Sequence, residues 1–378
     1  MDERIKRGLS RRSVLAGAAA GVVAPVAVAS AAGSSLAAAA GLTRQVTLYA
    51  DYLPGSTRVG YGVKPGQPTI PGPLLEMYEG DTFEIELVNN TDQRLSIHPH
   101  GVLYDTGSDG SPFNASFNDP GETKTYVWRS RAAYQAANGL WMPGSAGYWH
   151  YHDHAFGGDH GTVGLLKGLY GGLIVRKRGD LLPAKTFTVV FNEMWINHQM
   201  APDTPIFEAN LGQRVEFLCV GYGNLMHTFH LHAHRWADTR TGMLTSATDN
   251  APVIDNKTLD PGNSFGFQVI AGDVVGPGAW MYHCHVQQHS DDGMSGVFLV
   301  RNADGGMPAG AQDALDRFKQ HHHGSAKAEP ATPAPPTVAT DASARTAKPM
   351  AETPGMDMSG MDLSGMDLSA MDMSGHHH

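Results

Sequence analysis

Residues 283–294 read HCHVQQHSDDGM, and this stretch sets Cys284 directly between two histidines. His289 follows the cysteine after five positions and Met294 after ten. One thiolate, imidazole rings and a more distant thioether are the ligand set of a blue copper site, so the stretch predicts one. The other cysteine, Cys219, lies in the strand-like run RVEFLCV, where we expect a core side chain rather than a disulfide partner.

The composition around this stretch indicates an all-β protein. The 378 residues include 45 Gly and 23 Pro, and long helical patterns are few, which favours strands separated by turns. A chain of this length has room for about two domains. Its formal net charge of −10 argues against a nucleic-acid partner.

The first 40 residues have the pattern of an export signal. A basic start leads to Arg11 and Arg12 in SRRSVL, and an Ala/Val/Gly stretch with small-residue cleavage positions follows. We therefore predict a twin-arginine signal peptide over residues 1–40, a secreted or extracytoplasmic protein, and no membrane association after cleavage. The alternative, a membrane anchor, is disfavoured because the stretch is only weakly apolar.

The chain also contains an internal duplication. GDTFEIELVNN from Gly80 matches GQRVEFLCVGYGN from Gly212, 132 residues later, and WHYHDH from Trp149 matches WMYHCH from Trp280. Each copy alternates apolar and polar residues between Gly, Pro and Asn turns, which is typical of a β-sandwich. The duplication predicts two tandem sandwich domains.

We place the first domain at residues 41–178 and the second at 179–303. Residues 304–323 form a C-terminal extension with one helical candidate, AQDALDRFKQ. Residues 324–378 are rich in Pro, Ala, Thr, Ser and Met, and we expect this tail to be disordered.

Only the second copy carries the blue-copper pattern. At the matching positions the first copy has Leu95 for His227, Asp153 for Cys284, Leu169 for Met294 and, approximately, Gly158 for His289. The first domain therefore lacks the thiolate and thioether, although it keeps its paired histidines.

Strand geometry sorts the histidines into sites. The four His-x-His units are His98/His100, His152/His154, His230/His232 and His283/His285. Residues two apart in a strand face the same way and neighbours face opposite ways, so Cys284 points away from the histidines that flank it. The thiolate would then bind one copper while its covalent neighbours bind others. By the same rule His227, three residues before His230, faces Cys284. The remaining eight histidines suit three coppers with positions left open for oxygen.

Four further histidines have no matching ligand position in the other copy: His150, His160, His198 and His234. We expect each of them to be structural or exposed. For His150 we expect a strand parity opposite to that of the pair His152/His154.

HPHG, HDH, HTFHLH and HCHVQQHSDDGM resemble the four copper motifs of multicopper oxidases, in order and across the whole core. With two cupredoxin-like Greek-key domains and a blue site in the second alone, the chain is similar to the small two-domain bacterial laccases. The resemblance implies four coppers per functional unit: one type 1, one type 2 and two type 3.

The resemblance also implies a ligand for each copper. The type 1 ligands would be His227, Cys284, His289 and Met294. The type 2 ligands would be His98 and His230. The type 3 ligands would be His100, His152 and His285 for one ion, and His154, His232 and His283 for the other. Tyr104 and Asp109, in HGVLYDTGSDG, match residues near the trinuclear centre and its proton supply. The alternative for these two is an ordinary loop tyrosine and turn aspartate.

The implied reaction is that of a laccase. Phenols, aromatic amines or similar donors would lose single electrons at the type 1 copper. The electrons would pass through Cys284 to His283 and His285, and the trinuclear cluster would reduce O2 to water. The small laccases close as homotrimers with clusters at subunit junctions, and we expect the same here.

Two alternatives stay open. The tail repeat GMDMSGMDLSGMDLSAMDMSGHHH offers thioethers that prefer Cu(I), which would suit a cuprous oxidase or copper-tolerance protein, although it could equally be a flexible acidic tail. Copper nitrite reductases also have two such domains. That family, however, carries its blue site in the first domain and needs only a mononuclear second copper.

Overall fold

A computed structural model describes residues 41–321 and 335–338. The predicted signal peptide and the Met-rich repeat lie outside the described residues. Strands dominate the described chain, and none of its helices has the length and apolar character that a membrane crossing requires. The all-β prediction is confirmed.

The first half forms two sheets. Its strands are β1 (Thr43–Tyr52), β2 (Val59–Gly62), β3 (Gly72–Tyr78), β4 (Thr82–Asn89), β5 (His98–Pro99), β6 (Thr123–Arg129), β7 (Tyr134–Gln135), β8 (Trp141–Met142), β9 (Gly147–His152) and β10 (Tyr170–Arg176). The sheets have the orders β2-β1-β4-β6 and β3-β10-β9-β5, and β7 and β8 form a separate hairpin. Helix α1 (Thr162–Lys167) and two 3-10 turns, Thr106–Ser108 and Pro112–Asn114, lie in the loops.

The second half repeats this arrangement. Its strands are β11 (Lys185–Asn192), β12 (Trp195–Ile196), β13 (Ile206–Asn210), β14 (Arg214–Tyr222), β15 (His227–Leu231), β16 (Trp236–Ala237), β17 (Val253–Ile254), β18 (Asn256–Leu259), β19 (Ser264–Ile270), β20 (Gly278–Cys284) and β21 (Ser295–Arg301). The main sheets have the orders β12-β11-β14-β19 and β13-β21-β20-β15-β18. The matching orders confirm two tandem cupredoxin-like sandwiches.

The alternation of apolar and polar residues in the sequence places apolar side chains in each core. In β4, the side chains of Phe83, Ile85 and Leu87 are buried while their neighbours are more exposed, so one face of the strand lines the first core. In β14 nearly every residue is buried, because its second face packs against the first domain. Burial of large apolar side chains contributes roughly 1.5–3 kcal/mol each to folding.

The two sandwiches share a buried interface. Leu74, Tyr148 and Ile174 of the first half pack against Leu218 and Val220 of the second. Beside this apolar cluster, the Arg176 guanidinium pairs with two buried carboxylates, Glu76 and Glu216, one from each half. Tyr148 and Gln268 donate further hydrogen bonds to Glu216, at 2.7 and 3.0 Å. Because buried charges need partners, this network favours one fixed arrangement of the halves.

Three further elements complete the described chain. Helix α2 (Gln287–Asp291) belongs to the HCHVQQHSDDGM stretch, and α3 (Ala311–His321) covers the helical candidate and packs Leu315 near Leu299 of β21. Strand β22 (Thr337–Val338) pairs in parallel with β3, and the Leu74 N–H donates to the Pro336 carbonyl at 3.0 Å. The expectation of disorder therefore does not hold for residues 335–338, which cover an otherwise unpaired strand edge.

Candidate metal centre

The first sandwich gathers the four histidines of its two His-x-His units, here called the first histidine group: His98, His100, His152 and His154. Strands β5 and β9 pair so that His98 lies opposite His152. The Nε2 atoms of His100 and His152 lie 3.1 Å apart, and the possible ligand atoms of His98, His100 and His152 all fall within 4.8 Å of one another. The His154 ring lies 5.3 Å from the His98 ring.

Main-chain carbonyl groups orient three of these rings through Nδ1. The acceptors are the carbonyl oxygens of Asp109 for His98 at 2.5 Å, Asp153 for His152 at 2.7 Å and Asp159 for His154 at 2.8 Å. A carbonyl oxygen only accepts, so each Nδ1 carries the proton and each Nε2 has a free lone pair. This is the usual way in which a protein fixes the tautomer of a metal-binding histidine. The first histidine group therefore fits a metal ion.

The second sandwich repeats the arrangement with His230, His232, His283 and His285, here called the second histidine group. His230 lies opposite His283 across β15 and β20, and the Nε2 atoms of His232 and His283 are 3.1 Å apart. The Nδ1 atoms of His230 and His283 donate to the carbonyl oxygens of Asp255 and Cys284, both at 2.8 Å. His285 is exposed and its ring lies 5.3 Å from that of His230.

The two histidine groups do not meet within the described part of the chain. Among residues 41–321, no ring contact joins a histidine of one group to a histidine of the other, and the clusters of possible ligand atoms are separate. Each group therefore presents only half of the eight histidines that the sequence assigns to three coppers.

A third group contains the thiol. The Cys284 Sγ lies 3.8 Å from the His227 Nδ1 and 3.6 Å from the His289 Nδ1, and all three ligand atoms fall within 4.8 Å. Met294 is fully buried, and its main chain bonds both to Cys284, at 3.0 Å, and to His289, at 2.9 Å. His283, the neighbour of Cys284, points to the second histidine group, so the strand sends adjacent side chains to different sites. One sulfur and two imidazole nitrogens converging in a buried space fit copper.

Burial shifts the pKa values of histidine and cysteine side chains in these groups. Burial, together with neighbouring histidines, lowers the pKa of His100 and of His227 to about 4. Neutral imidazole is the form that binds metals, so both rings are ready for binding at neutral pH. Burial also raises the pKa of the Cys284 thiol. A bound metal cation reverses that effect, because a coordinating thiol is deprotonated.

Tyr104 and Asp109 lie beside the first histidine group. The Tyr104 ring is 5.7 Å from the His98 ring, and an Asp109 carboxylate oxygen is 3.7 Å from the His98 Nδ1. Burial alone would raise the pKa of Asp109, but hydrogen bonds from Ser111 and Asn114 and the nearby His98 lower it overall. Asp109 is therefore a carboxylate at neutral pH.

Sequence reasoning missed Asp255, the counterpart of Asp109. Its carboxylate lies 3.7 Å from the His230 Nδ1, the same separation that Asp109 keeps from His98. Asp109 follows its histidine by 11 residues and Asp255 by 25, because the second copy has a longer intervening segment. The internal alignment could therefore not pair them.

The remaining histidines separate into different environments. The expectation that His150 faces away from His152 is wrong, because residues two apart in a strand share a face, and the two rings lie 6.0 Å apart. His234 is buried and its Nδ1 donates to the His232 carbonyl at 2.9 Å, so it supports a site residue. His160 is exposed, 5.7 Å from the His154 ring, and His198 packs on Trp195.

Comparisons with known proteins agree on one family. Two family models, both described as multicopper oxidase, match residues 66–180 and 180–304. A probable nitrite reductase-hydroxylamine oxidoreductase fusion protein of Kuenenia stuttgartiensis is 33% identical over 269 residues, which are 64% of this chain and 28% of that protein. Human ceruloplasmin is 25% identical over 61% of this chain and 23% of its own length. The chain thus spans about a quarter of the length of these relatives.

Solved structures share the fold. A blue copper oxidase from Nitrosomonas europaea superposes with a TM-score of 0.51 at 20% identity and covers 78% of this chain and 99% of its own. A copper nitrite reductase from the same organism gives 0.52 at 20% identity, over 68% and 94%. At this identity the likeness concerns the fold alone. Taken with the family models, which together cover well over half of the chain, it leads to one conclusion: this chain belongs to the multicopper oxidase family.

Proposed function

We propose that this protein is a laccase-type oxidase, which couples one-electron oxidation of phenols or aromatic amines to the four-electron reduction of O2 to water. The observation that carries the proposal is the coexistence of one buried Cys-His-His group with two four-histidine groups. Bound copper would supply the redox chemistry: one ion would accept electrons from the donor and three would deliver four of them to oxygen.

The chain's own residues would hold and connect these ions. His227, Cys284, His289 and Met294 would bind the type 1 copper. A thioether among the ligands favours a comparatively mild oxidant. Cys284 is bonded through the main chain to His283 and His285, so the donor side and the oxygen side are a few covalent bonds apart. The two histidine groups would share one type 2 and two type 3 coppers, with His98 and His230 as the type 2 ligands.

Asp109 and Tyr104 would serve the proton side of the reaction. Forming two waters from O2 requires four protons, and they must reach a site surrounded by imidazole rings. The Asp109 carboxylate lies 3.7 Å from the His98 ring and stays ionised at neutral pH, so it can accept a proton from solvent and pass it inward. The Tyr104 side chain, 36% exposed, connects the same region to solvent.

Assembly follows from the separation of the two histidine groups. Three coppers need both groups, yet the groups do not touch within the described chain. Contact between the first domain of one chain and the second domain of the next would bring them together. Such head-to-tail contacts must close into a ring or continue as a filament. We propose a closed homotrimer with one trinuclear site at each junction, exported through the twin-arginine route to the cell exterior.

A metal-ion substrate is the second candidate. Two relatives are named as ferroxidases, one of Mus musculus that is 26% identical over 63% of this chain and one of Homo sapiens that is 24% identical over 61%. The tail carries six methionines between residues 356 and 373, and β22 fixes the preceding segment to the first domain. An oxidase with this arm would use Cu(I) as its donor. Nitrite reduction is supported by the name of the Kuenenia stuttgartiensis relative, 33% identical over 64% of this chain, and by fold likeness to a copper nitrite reductase.

The test compares donors on one preparation of copper-loaded protein. Oxygen uptake should be rapid with 2,6-dimethoxyphenol, the solution should be blue, and metal analysis should give about four coppers per chain. Faster uptake with Cu(I) than with the phenol would favour the second candidate. Nitrite reduction without oxygen uptake, at about two coppers per chain, would contradict both.

A further inference from the structure

His150 lies directly behind a residue of the first histidine group. It precedes His152 by two residues in β9, and its carbonyl accepts the main-chain N–H of His100 at 2.9 Å. The two side chains are therefore cross-strand neighbours on the same face. Their rings stack with centroids 3.9 Å apart and an interplanar angle of 26°.

Both ring nitrogens of His150 are bonded to the second domain of the same chain. Nε2 lies 3.1 Å from the Gly262 carbonyl oxygen and Nδ1 lies 2.6 Å from the Tyr222 hydroxyl. Because the carbonyl only accepts, Nε2 donates to it, and Nδ1 then accepts the Tyr222 proton. His150 thus has no free lone pair, and binding a metal would cost it a hydrogen bond.

The equivalent place in the second half is built differently. There the N–H of His232 donates to the Met281 carbonyl at 2.9 Å, so Met281 corresponds to His150. Met281 is 37% exposed and offers no ring to stack on. The support of His100 by a fixed imidazole is therefore a property of one half only, and strand geometry alone does not require it.

We propose that His150 is a positioning residue that holds the His100 ring ready for metal binding, and that Tyr222 and Gly262 make this support depend on docking of the second domain. The inference rests on the proposed function, since it takes His100 as a copper ligand. Stacking on one face restricts rotation of the His100 ring. Residues behind a ligand typically change metal affinity about 10- to 100-fold when they are replaced.

The contacts of His150 couple the first histidine group to the packing of the two domains. Tyr222 ends β14 and Gly262 lies in the turn before β19, so both anchors arrive only when the two sandwiches of one chain have packed together. The His100 ring is therefore fully supported only in a chain whose own two sandwiches are packed. Copper loading at the junction would then depend on docking within each chain.

The experiment uses the full-length copper-loaded protein and three variants: His150→Ala, His150→Phe and Tyr222→Phe. Each is dialysed against graded concentrations of a copper chelator, and retained copper is measured beside the blue absorbance, which reports the Cys284 site separately. His150→Ala should weaken retention of the non-blue copper about 10- to 100-fold and leave the blue absorbance per chain unchanged. His150→Phe keeps a stacked ring and should lose less non-blue copper than His150→Ala. Tyr222→Phe keeps His150 itself and should also lose less non-blue copper than His150→Ala. Met281→Ala is the matched control and should retain copper as the wild type does.

Several results would overturn the proposal. Wild-type retention in folded His150→Ala would do so, as would an equal loss of one whole copper in His150→Ala and His150→Phe, which would make His150 a ligand. If His150→Ala does not fold, unchanged retention in both His150→Phe and Tyr222→Phe overturns it instead. Failure of the wild type itself to bind non-blue copper would refute the proposed function, a distinct outcome.

Discussion

Asp153 and Cys284 occupy the same place in the two sandwiches and differ in what they do there. Each is fully buried and stands between two histidines that face a four-histidine group. The Asp153 carboxylate accepts main-chain hydrogen bonds from Ser96 at 2.7 Å and Phe156 at 2.8 Å. The Cys284 sulfur instead faces two imidazole nitrogens within 4 Å.

The side chains around Asp153 also lack the possible metal ligands that surround Cys284. Leu95 and Leu169, both fully buried, stand where the second copy has His227 and Met294. Burial raises the pKa of Asp153 to about 7, and hydrogen bonds from main-chain N–H groups oppose that effect. One face of the repeated strand thus carries histidines in both copies, while the other face carries a hydrogen-bonded carboxylate in one copy and the proposed type 1 ligands in the other.

The largest expected effect comes from Cys284→Ser. We expect loss of the blue absorbance and a fall of about two orders of magnitude or more in oxidation of organic donors, because in the proposed reaction the thiolate links the donor to the cluster. The eight histidines remain, so most of the trinuclear copper should stay bound. The measurements are the absorption spectrum, copper content and phenol oxidation, and a variant that stays blue would refute the assignment.

Asp153→Ala tests whether the Asp153 carboxylate anchors the main chain around it. It would leave the buried N–H groups of Ser96, Ala155 and Phe156 without their acceptor. The expected cost is about 3 kcal/mol of unfolding free energy or more, because each unpaired buried N–H costs about 1–3 kcal/mol. Denaturant unfolding measures it, and Asp153→Asn, which keeps one acceptor oxygen, should lose less. An Asp153→Ala variant with the unfolding free energy of the wild type would contradict the anchoring role of Asp153.

Cys219→Ser tests whether the proposed copper ligand Cys284 differs in role from a core cysteine. Cys219 is fully buried in β14 among apolar side chains and belongs to no cluster of possible metal ligands in the described residues. The substitution should cost about 1–2 kcal/mol of stability and leave the colour intact. Loss of the blue absorbance from a folded Cys219→Ser protein would show that the two cysteines are not distinct in role.

Deletion of residues 324–378 should have the smallest effect on phenol oxidation. No proposed ligand lies there, so the rate per copper should stay close to that of the full chain. Loss of β22 uncovers the edge of β3 but removes only two paired residues. Cu(I) oxidation or copper loading should weaken if the methionines deliver metal, and unchanged rates in both assays would support a spacer role.

The alternation of side chains along strands and the internal duplication predicted much of the fold and of the arrangement of the sites. The alternation of side chains correctly separated Cys284 from its histidine neighbours, because a strand leaves no other choice. The supports of the histidines were not predictable in this way. Asp255 follows a segment longer than its counterpart, and the contacts of His150 depend on how two domains dock. Strand β22 pairs with β3, which is far from it along the chain.

The most direct test asks whether the two histidine groups form one copper site between chains. One inactive variant has His98 and His100 replaced by alanine, and a second has His230 and His232 replaced. Refolded together with copper in equal amounts, they should recover roughly a quarter of wild-type oxygen uptake, because a working junction needs an intact half from each of two randomly drawn neighbours. Each variant refolded alone should stay inactive. If the mixture also stays inactive, the site lies within a single chain and the account of its assembly is wrong.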